Sequence, residues 1–251
     1  VSRRGNAQKT LEALSLVSRV WKGRLSLDLI AGLPGQTAEN LIRNLEKVIT
    51  FGPDHVSLYS LTIESGTPLA RKRDSSLIRS LPDDDMAAEI WISGRDWLES
   101  NGFAQYEVSN FAKPGYESLH NMTYWHLNSY IGVGPGATGT LVQGDSGVRV
   151  TNTKDIESWL TDPRTKREME PITREDLMIE TLLMGMRLGS GIARSDFLHR
   201  FGSDVSAYIP KAINTWTERG LLENDSKRIA LTKEGLLFLN RFLSDCMDEL
   251  S

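Results

Sequence analysis

Between residues 8 and 21 apolar positions recur every three or four residues, at Leu11, Leu14, Leu16, Val17 and Val20. That spacing predicts a helix. The segment Arg24-Leu-Ser-Leu-Asp-Leu-Ile-Ala-Gly32 alternates and then turns apolar, the pattern of a buried strand ending at Gly32. Leu33-Pro34-Gly35-Gln36 follows as a turn. Thr37 then occupies an N-cap position ahead of a helix face made by Leu41, Ile42, Leu45, Val48 and Ile49. Gly52-Pro53 stops that helix, and residues 55–63 form a second β-branched and aromatic run. Helix, strand, helix, strand with short links predicts parallel βα units.

Pro82-Asp-Asp-Asp85 opens the next helix, where acidic residues suit the positive end of the helix dipole. It carries Met86, Ala87, Ile90, Trp91, Trp97 and Leu98 and ends at Asn101-Gly102. Residues 105–109 read as a short strand, Gln143-Gly-Asp-Ser-Gly147 as a hairpin-like turn, and 154–160 as a short helix. Beyond Pro171 the pattern predicts helices over 174–187, 193–201 and 204–219. A strand-turn-strand over 220–232 and a closing helix over 233–248 complete it. Helices followed by a two-stranded hairpin describe a winged-helix-like module.

Composition narrows the function classes. Hydrophobic residues make up 39% and charged residues 25%, the proportions of a globular protein. Against 33 acidic residues stand 29 basic ones, a net charge of −4, which argues against a broad nucleic-acid-binding face. The candidate recognition helix over 204–219 agrees, since Lys211 and Arg219 are offset by Asp204 and Glu218. No run approaches the ~18 apolar residues of a membrane span, and no signal-type segment opens the chain. The expected location is cytoplasmic, with attachment at a membrane periphery left open. One cysteine, Cys246, excludes a disulfide framework and a cysteine-ligated zinc or iron–sulfur cluster within this chain.

Four segments could carry chemistry. Asp28 lies in a strand just before a tight turn, and βα folds collect ligands at the C-terminal strand ends. Its carboxylate can accept from a ribose or an amino group, or it can anchor a neighbouring loop. Gly32-Leu-Pro-Gly35 lacks the spacing and lysine of a phosphate loop and reads as a turn. Thr62, near the end of the next strand, can line the same pocket as Asp28. His120-Asn-Met-Thr-Tyr-Trp-His126 is dense in polar and aromatic groups. Imidazole ligates iron, and flat aromatics suit a porphyrin. The other reading is a loop whose His and Asn bond the backbone locally while Tyr124 and Trp125 pack as core. Tyr130-Ile-Gly-Val-Gly-Pro-Gly-Ala-Thr-Gly139 is a weak glycine signal that can wall a cofactor site.

The ordered set is more specific than any part. Asp28-Leu-Ile-Ala-Gly-Leu-Pro-Gly-Gln-Thr37 is followed by Gly52-Pro-Asp-His-Val-Ser-Leu-Tyr-Ser-Leu-Thr-Ile-Glu64 and Gly66-Thr-Pro-Leu69. Then come Tyr106-Glu-Val-Ser-Asn-Phe-Ala-Lys-Pro-Gly-Tyr116, His120-Asn-x-x-Tyr-Trp125 and Tyr130-Ile-Gly-Val-Gly-x-Gly-Ala137. Over nearly its whole length the chain resembles radical S-adenosylmethionine (SAM) proteins related to oxygen-independent coproporphyrinogen III oxidase. Within that group it is most similar to the heme-chaperone, HemW-type branch, which the His-Asn-x-x-Tyr-Trp segment marks.

The resemblance implies an α/β fold, the C-terminal half of a partial TIM-like barrel followed by a small winged-helix-like α+β domain. The expected segments are 1–141 for the barrel part, 142–170 for a connection and 171–251 for the C-terminal domain. It implies SAM contacts at Asp28, Thr62 and Thr138. It also implies heme binding through His120, the iron ligand, with Asn121, Tyr124 and Trp125 completing the motif. A heme-recipient protein and a homodimer are the implied partners. His126 departs from the family pattern and offers a second iron ligand, whereas Thr138 stands where many relatives have histidine. The family's Cys-x-x-x-Cys-x-x-Cys loop, which holds a [4Fe–4S] cluster, and its glycine-rich SAM motif are not in this sequence. About 110 to 150 further upstream residues, two or three βα units, are expected to carry them. The rival readings are coproporphyrinogen III oxidation and a truncated, non-catalytic relic.

Overall fold

The structure is a computed structural model that describes residues 6–75 and 80–250. It divides into two compact units, Val1–Glu117 and Ser118–Ser251.

The first unit contains α1 (Ala7–Val20), β1 (Ser26–Ala31), α2 (Ala38–Ile49), β2 (His55–Ser60), α3 (Pro68–Asp74), α4 (Asp84–Ser100), β3 (Ala104–Glu107) and β4 (Asn110–Ala112). Thr37 caps α2 by accepting from the Asn40 amide, and Asp83 caps α4 through the Met86 amide. The strands form one sheet in the order β1-β2-β4-β3. β1 and β2 are parallel, as the βα pattern predicts, but β4 runs antiparallel to both β2 and β3. The reason is the link: only Val108 and Ser109 join β3 to β4, and so short a connection can only make a hairpin.

One face of this sheet packs on α2 and α4. Leu41 and Leu45 of α2, and Ile90, Trp91 and Leu98 of α4, meet Val56, Leu58 and Phe111 in a closed core. Gly94 lets the layers come together. A Cβ there would lie 2.8 Å from side-chain carbons of both Leu41 and Leu58. The Trp91 indole donates to the Leu58 carbonyl at 2.8 Å, so the largest core ring leaves no buried donor unmade.

The second unit contains α5 (Leu119–Trp125), β5 (Thr138–Gln143), β6 (Ser146–Thr151), α6 (Ile156–Thr161), β7 (Glu168–Ile172), α7 (Arg174–Gly185), β8 (Ile192–Ala193), α8 (Arg194–Phe201), α9 (Pro210–Glu218), β9 (Leu222–Asn224), β10 (Arg228–Leu231) and α10 (Leu239–Leu250). It holds two three-stranded sheets, β5-β6-β7 and β8-β10-β9. The first sheet runs across both expected boundaries, 141/142 and 170/171, because β6 pairs with β5 on one side and β7 on the other. Residues 142–170 contain β6 and α6 with parts of β5 and β7.

Two predicted helices are corrected. Residues 204–219 are not continuous: a 3-10 turn over Val205–Ala207 is followed by a break at Ile209, and α9 starts at Pro210. A residue before proline is pushed out of the helical region, and Ile209 sits at φ −133°, ψ 50°. Residues 233–248 likewise begin as a 3-10 turn over Gly235–Phe238 before α10. Arg194 joins several of these pieces. Its guanidinium pairs with Asp204 and donates to Ser206 at 3.0 Å, to the Asp225 carbonyl at 2.8 Å and to Asn224 at 2.5 Å. The pairing with Arg194 holds the Asp204 carboxyl below its usual range.

Candidate functional site

The sheet of the first unit has a second, polar face. Strand alternation that sends Val56, Leu58 and Phe111 to the helices turns their neighbours the other way. Asp28 lies opposite Ser57, Ser57 opposite Asn110, and Asn110 opposite Glu107, one row across all four strands. Ser57, Asn110 and Glu107 are at most 4% exposed, while Asp28, at the open end of the row, is exposed. The Glu107 carboxylate accepts from the Asn110 side-chain amide and, at 3.3 Å, from the Ser109 amide. The other side of that carboxamide, Asn110 Oδ1, is buried with no hydrogen-bond partner among the described residues. A buried acceptor without a donor is costly, so the position suits a ligand N–H or O–H or a water.

His55 belongs to the same face. Its Nδ1 is 2.8 Å from Ser26 Oγ and its Nε2 is 2.8 Å from the Tyr106 hydroxyl. Burial pushes the imidazole pKa below its ordinary 6.5, and the Asp28 carboxylate opposes that shift. A register shift between Gln105 and Glu107 lets Tyr106 and Glu107 both serve this face. Sequence reasoning placed His55 only as the start of a strand and passed over Ser57, Glu107 and Asn110. The available signal was Tyr106-Glu107, a carboxylate next to an aromatic ring within a short strand.

Asp28 is the third residue of β1, mid-strand, whereas Thr62 lies two residues past the end of β2 and is exposed. The Gly32–Gly35 turn is a turn, as expected. The Gln36 side chain fills it, accepting from the Gly32 amide at 2.6 Å and the Leu33 amide at 3.2 Å. Those two donors are therefore taken.

In the second unit the glycines of 130–139 serve the chain's own backbone. A Cβ at Gly132 would meet the Thr138 carbonyl at 2.6 Å, and one at Gly139 would meet the Gly132 nitrogen at 2.7 Å. Asn152, 4% exposed, fastens the loop by donating to the Gly132 and Gly134 carbonyls, each at 3.0 Å. The Thr138 hydroxyl is 3.0 Å from that of Thr151 on the paired strand.

The His-Asn-x-x-Tyr-Trp segment is a helix, α5, not a loop. Ser118 caps it by accepting from the Asn121 amide. One turn apart, His120 and Tyr124 share a face. Tyr124 OH is 3.1 Å from His120 Nε2, and the rings meet edge-on at 4.8 Å. Tyr130 adds a second edge contact to Tyr124 at 4.6 Å. The imidazole of His120 is exposed. Trp125 turns elsewhere: Arg187 stacks over its ring at 5.2 Å, and its indole nitrogen is buried without a partner among the described residues. Asn121, Tyr124 and Trp125 are half-buried rather than core.

Comparison with known proteins places these segments in context. Residues 172–238 match the family described as HemN C-terminal domain. The chain is 34% identical to the Bos taurus protein named Radical S-adenosyl methionine domain-containing protein 1, mitochondrial, over 100% of this chain and 59% of that protein. It is 32% identical to the Lactococcus lactis Heme chaperone HemW, over 98% of this chain and 65% of the relative. With the Bacillus subtilis Heme chaperone HemW it shares 31% identity over 90% of this chain and 59% of that protein. Over nearly its whole length the chain is similar to proteins of the HemW-type radical SAM family. A solved Escherichia coli structure, titled as coproporphyrinogen III oxidase (HemN), a radical SAM enzyme, superposes with a TM-score of 0.72. It covers 98% of this chain and 60% of its own at 19% identity, which shows a shared fold.

The chain thus spans about three-fifths of the length of its HemW-type relatives. The cluster of a radical SAM protein does not fit the residues present. Cys246 lies buried in α10, and burial, with Asp245 and Glu249 nearby, pushes its thiol up to about 12. Among the described residues no group of three His, Cys, Asp or Glu side chains is placed to hold a metal ion. No described helix is long and apolar enough to cross a membrane.

Proposed function

We propose that the complete protein holds heme for transfer to a recipient protein, and that this chain supplies His120 as an axial ligand to the iron. The observation that carries the reading is α5: an exposed imidazole on a capped helix, flanked by the Tyr124 ring, with Tyr130 behind it. The similarity to two bacterial proteins named heme chaperones, over nine-tenths or more of this chain, supports it. Imidazole is a strong nitrogen ligand for heme iron, and edge-on aromatics suit a flat macrocycle. An exposed ligand suits a holder, because a recipient's own ligands can reach the iron and replace it. Tyr124 keeps Nε2 occupied until iron takes it, and Asn121 sits beside His120 in the first turn. In this reading the barrel part, completed by upstream residues, contributes a [4Fe–4S] cluster and SAM. Asp28 and Thr62 remain the proposed SAM contacts on the first unit.

Anaerobic heme titration followed by absorption tests the reading. A saturable Soret shift near one heme per chain, weakened in His120→Ala, is expected. An unchanged affinity and spectrum in a folded His120→Ala protein would overturn it. Coproporphyrinogen turnover by the full-length protein would favour the oxidase instead.

A further inference from the structure

The second unit contains a cavity of about 660 Å³, inside the ~300–1,000 Å³ range of small-molecule sites. It opens between the end of α5, α7, α8 and the β9–β10 turn. Its apolar wall is Trp125, Leu188, Ile192 and Phe197. Its polar wall is basic: Arg200, Lys227 and Arg228 face a single acid, Asp196. Arg228 is partly occupied by Glu223. Neither Arg200 nor Lys227 makes a side-chain hydrogen bond or ion pair among the described residues. A third observation points the same way. Trp125 lines the cavity, and its Nε1–H is a buried donor with no acceptor among the described residues.

Aromatic and apolar side chains along one wall suit a flat ring system. Unpaired cations at its edge select anions, and arginine's fork matches carboxylates. We propose that this cavity binds a flat, apolar dicarboxylate, with Arg200 and the Lys227–Arg228 pair taking the carboxylates. The choice of a porphyrin as that ligand rests on the heme-holding reading, and the cavity then recognises the propionates independently of the iron.

Metal-free protoporphyrin IX separates the two ideas, because its binding needs no axial ligand. Its fluorescence is titrated against wild type, His120→Ala and an Arg200→Ala/Lys227→Ala double variant, with the dimethyl ester as control. The expected result is equal binding to wild type and His120→Ala, and about tenfold weaker binding to the double variant. The ester should not distinguish wild type from the double variant. Neither substituted side chain holds a structural bond, so thermal melts should be unchanged and will verify folding. Equal diacid affinity in wild type and the double variant overturns the proposal, as does no diacid binding to folded wild type. Hemin affinity that falls only in His120→Ala would overturn the cavity and leave the heme-holding reading standing. Diacid binding lost only in the double variant, with hemin binding indifferent to His120, would do the reverse.

Discussion

Replacing Tyr124 with phenylalanine isolates one atom of the proposed heme ligand. The hydroxyl lies 3.1 Å from His120 Nε2, and iron cannot take that nitrogen until this hydrogen bond breaks. Phenylalanine keeps the ring, so the edge contacts to His120 at 4.8 Å and to Tyr130 at 4.6 Å survive. What is removed is a competitor for the nitrogen. A protein hydrogen bond contributes about 0.5–1.5 kcal/mol net, and an exposed one belongs near the lower end. Losing it from the free state alone should tighten ferric heme binding by about 0.5 kcal/mol, or roughly twofold in Kd. The assay is a Soret titration of wild type, Tyr124→Phe and His120→Ala, with the tightening absent when both positions are changed. Weaker binding in Tyr124→Phe would refute the reasoning, because the hydroxyl would then be helping the bound state.

Three further outcomes follow from geometry. The His55 pKa lies below 6.5, so between that pH and the folded value the unfolded chain binds the proton more readily. Stability should be full above pH 6.5, fall as the pH drops towards the folded pKa, and then level. Urea midpoints of His55→Gln should lack that component, and an unchanged slope from pH 8 to 5 would sink the assignment. With a thiol pKa of about 12 instead of 9.0, Cys246 is ionised in about one molecule in ten thousand at pH 8, rather than one in ten. Ellman's reagent should therefore stay unreactive until urea unfolds α10, whereas immediate labelling would contradict the burial. Gly191 sits at φ +66°, and an added Cβ would come within 2.0 Å of the Ile229 carbonyl oxygen. Gly191→Ala should cost at least about 2 kcal/mol in a thermal melt, and a neutral result would mean that β8 and β10 are less tightly joined.

The helices were legible because their signals are local. Thr37 and the Asp83–Asp85 run announce starts, Gly102 an end, and Leu41 and Leu45 a buried face. Strands were legible where local signals marked them, as with the strand-turn-strand over the short β9 and β10. β4 is three residues and β8 two, too short to show any period, and each exists because a neighbour supplies its hydrogen bonds. Ile209-Pro210 was a readable break that the apolar spacing of 204–219 concealed. The motif from His120 to Trp125 was visible as composition, but its split into an imidazole–phenol pair and a separate indole needs the helix turn. The polar row from Asp28 to Glu107 was not readable, because it joins residues up to 79 positions apart through strand pairing and a bulge. No residue in it is unusual alone.

The Arg194 guanidinium has one more consequence, for how the molecule opens. It ties the first residue of α8 to the 3-10 turn at Ser206 and to the end of β9 about 30 positions away. Withdrawing any one of those pieces strands a half-buried cation, so none can fray alone at low cost. In native-state hydrogen exchange, amides of α8 and of the β9–β10 hairpin should open as one unit with a common free energy. The loop tip at Asp225 should then stay as protected as the helix it is tied to, although it is exposed.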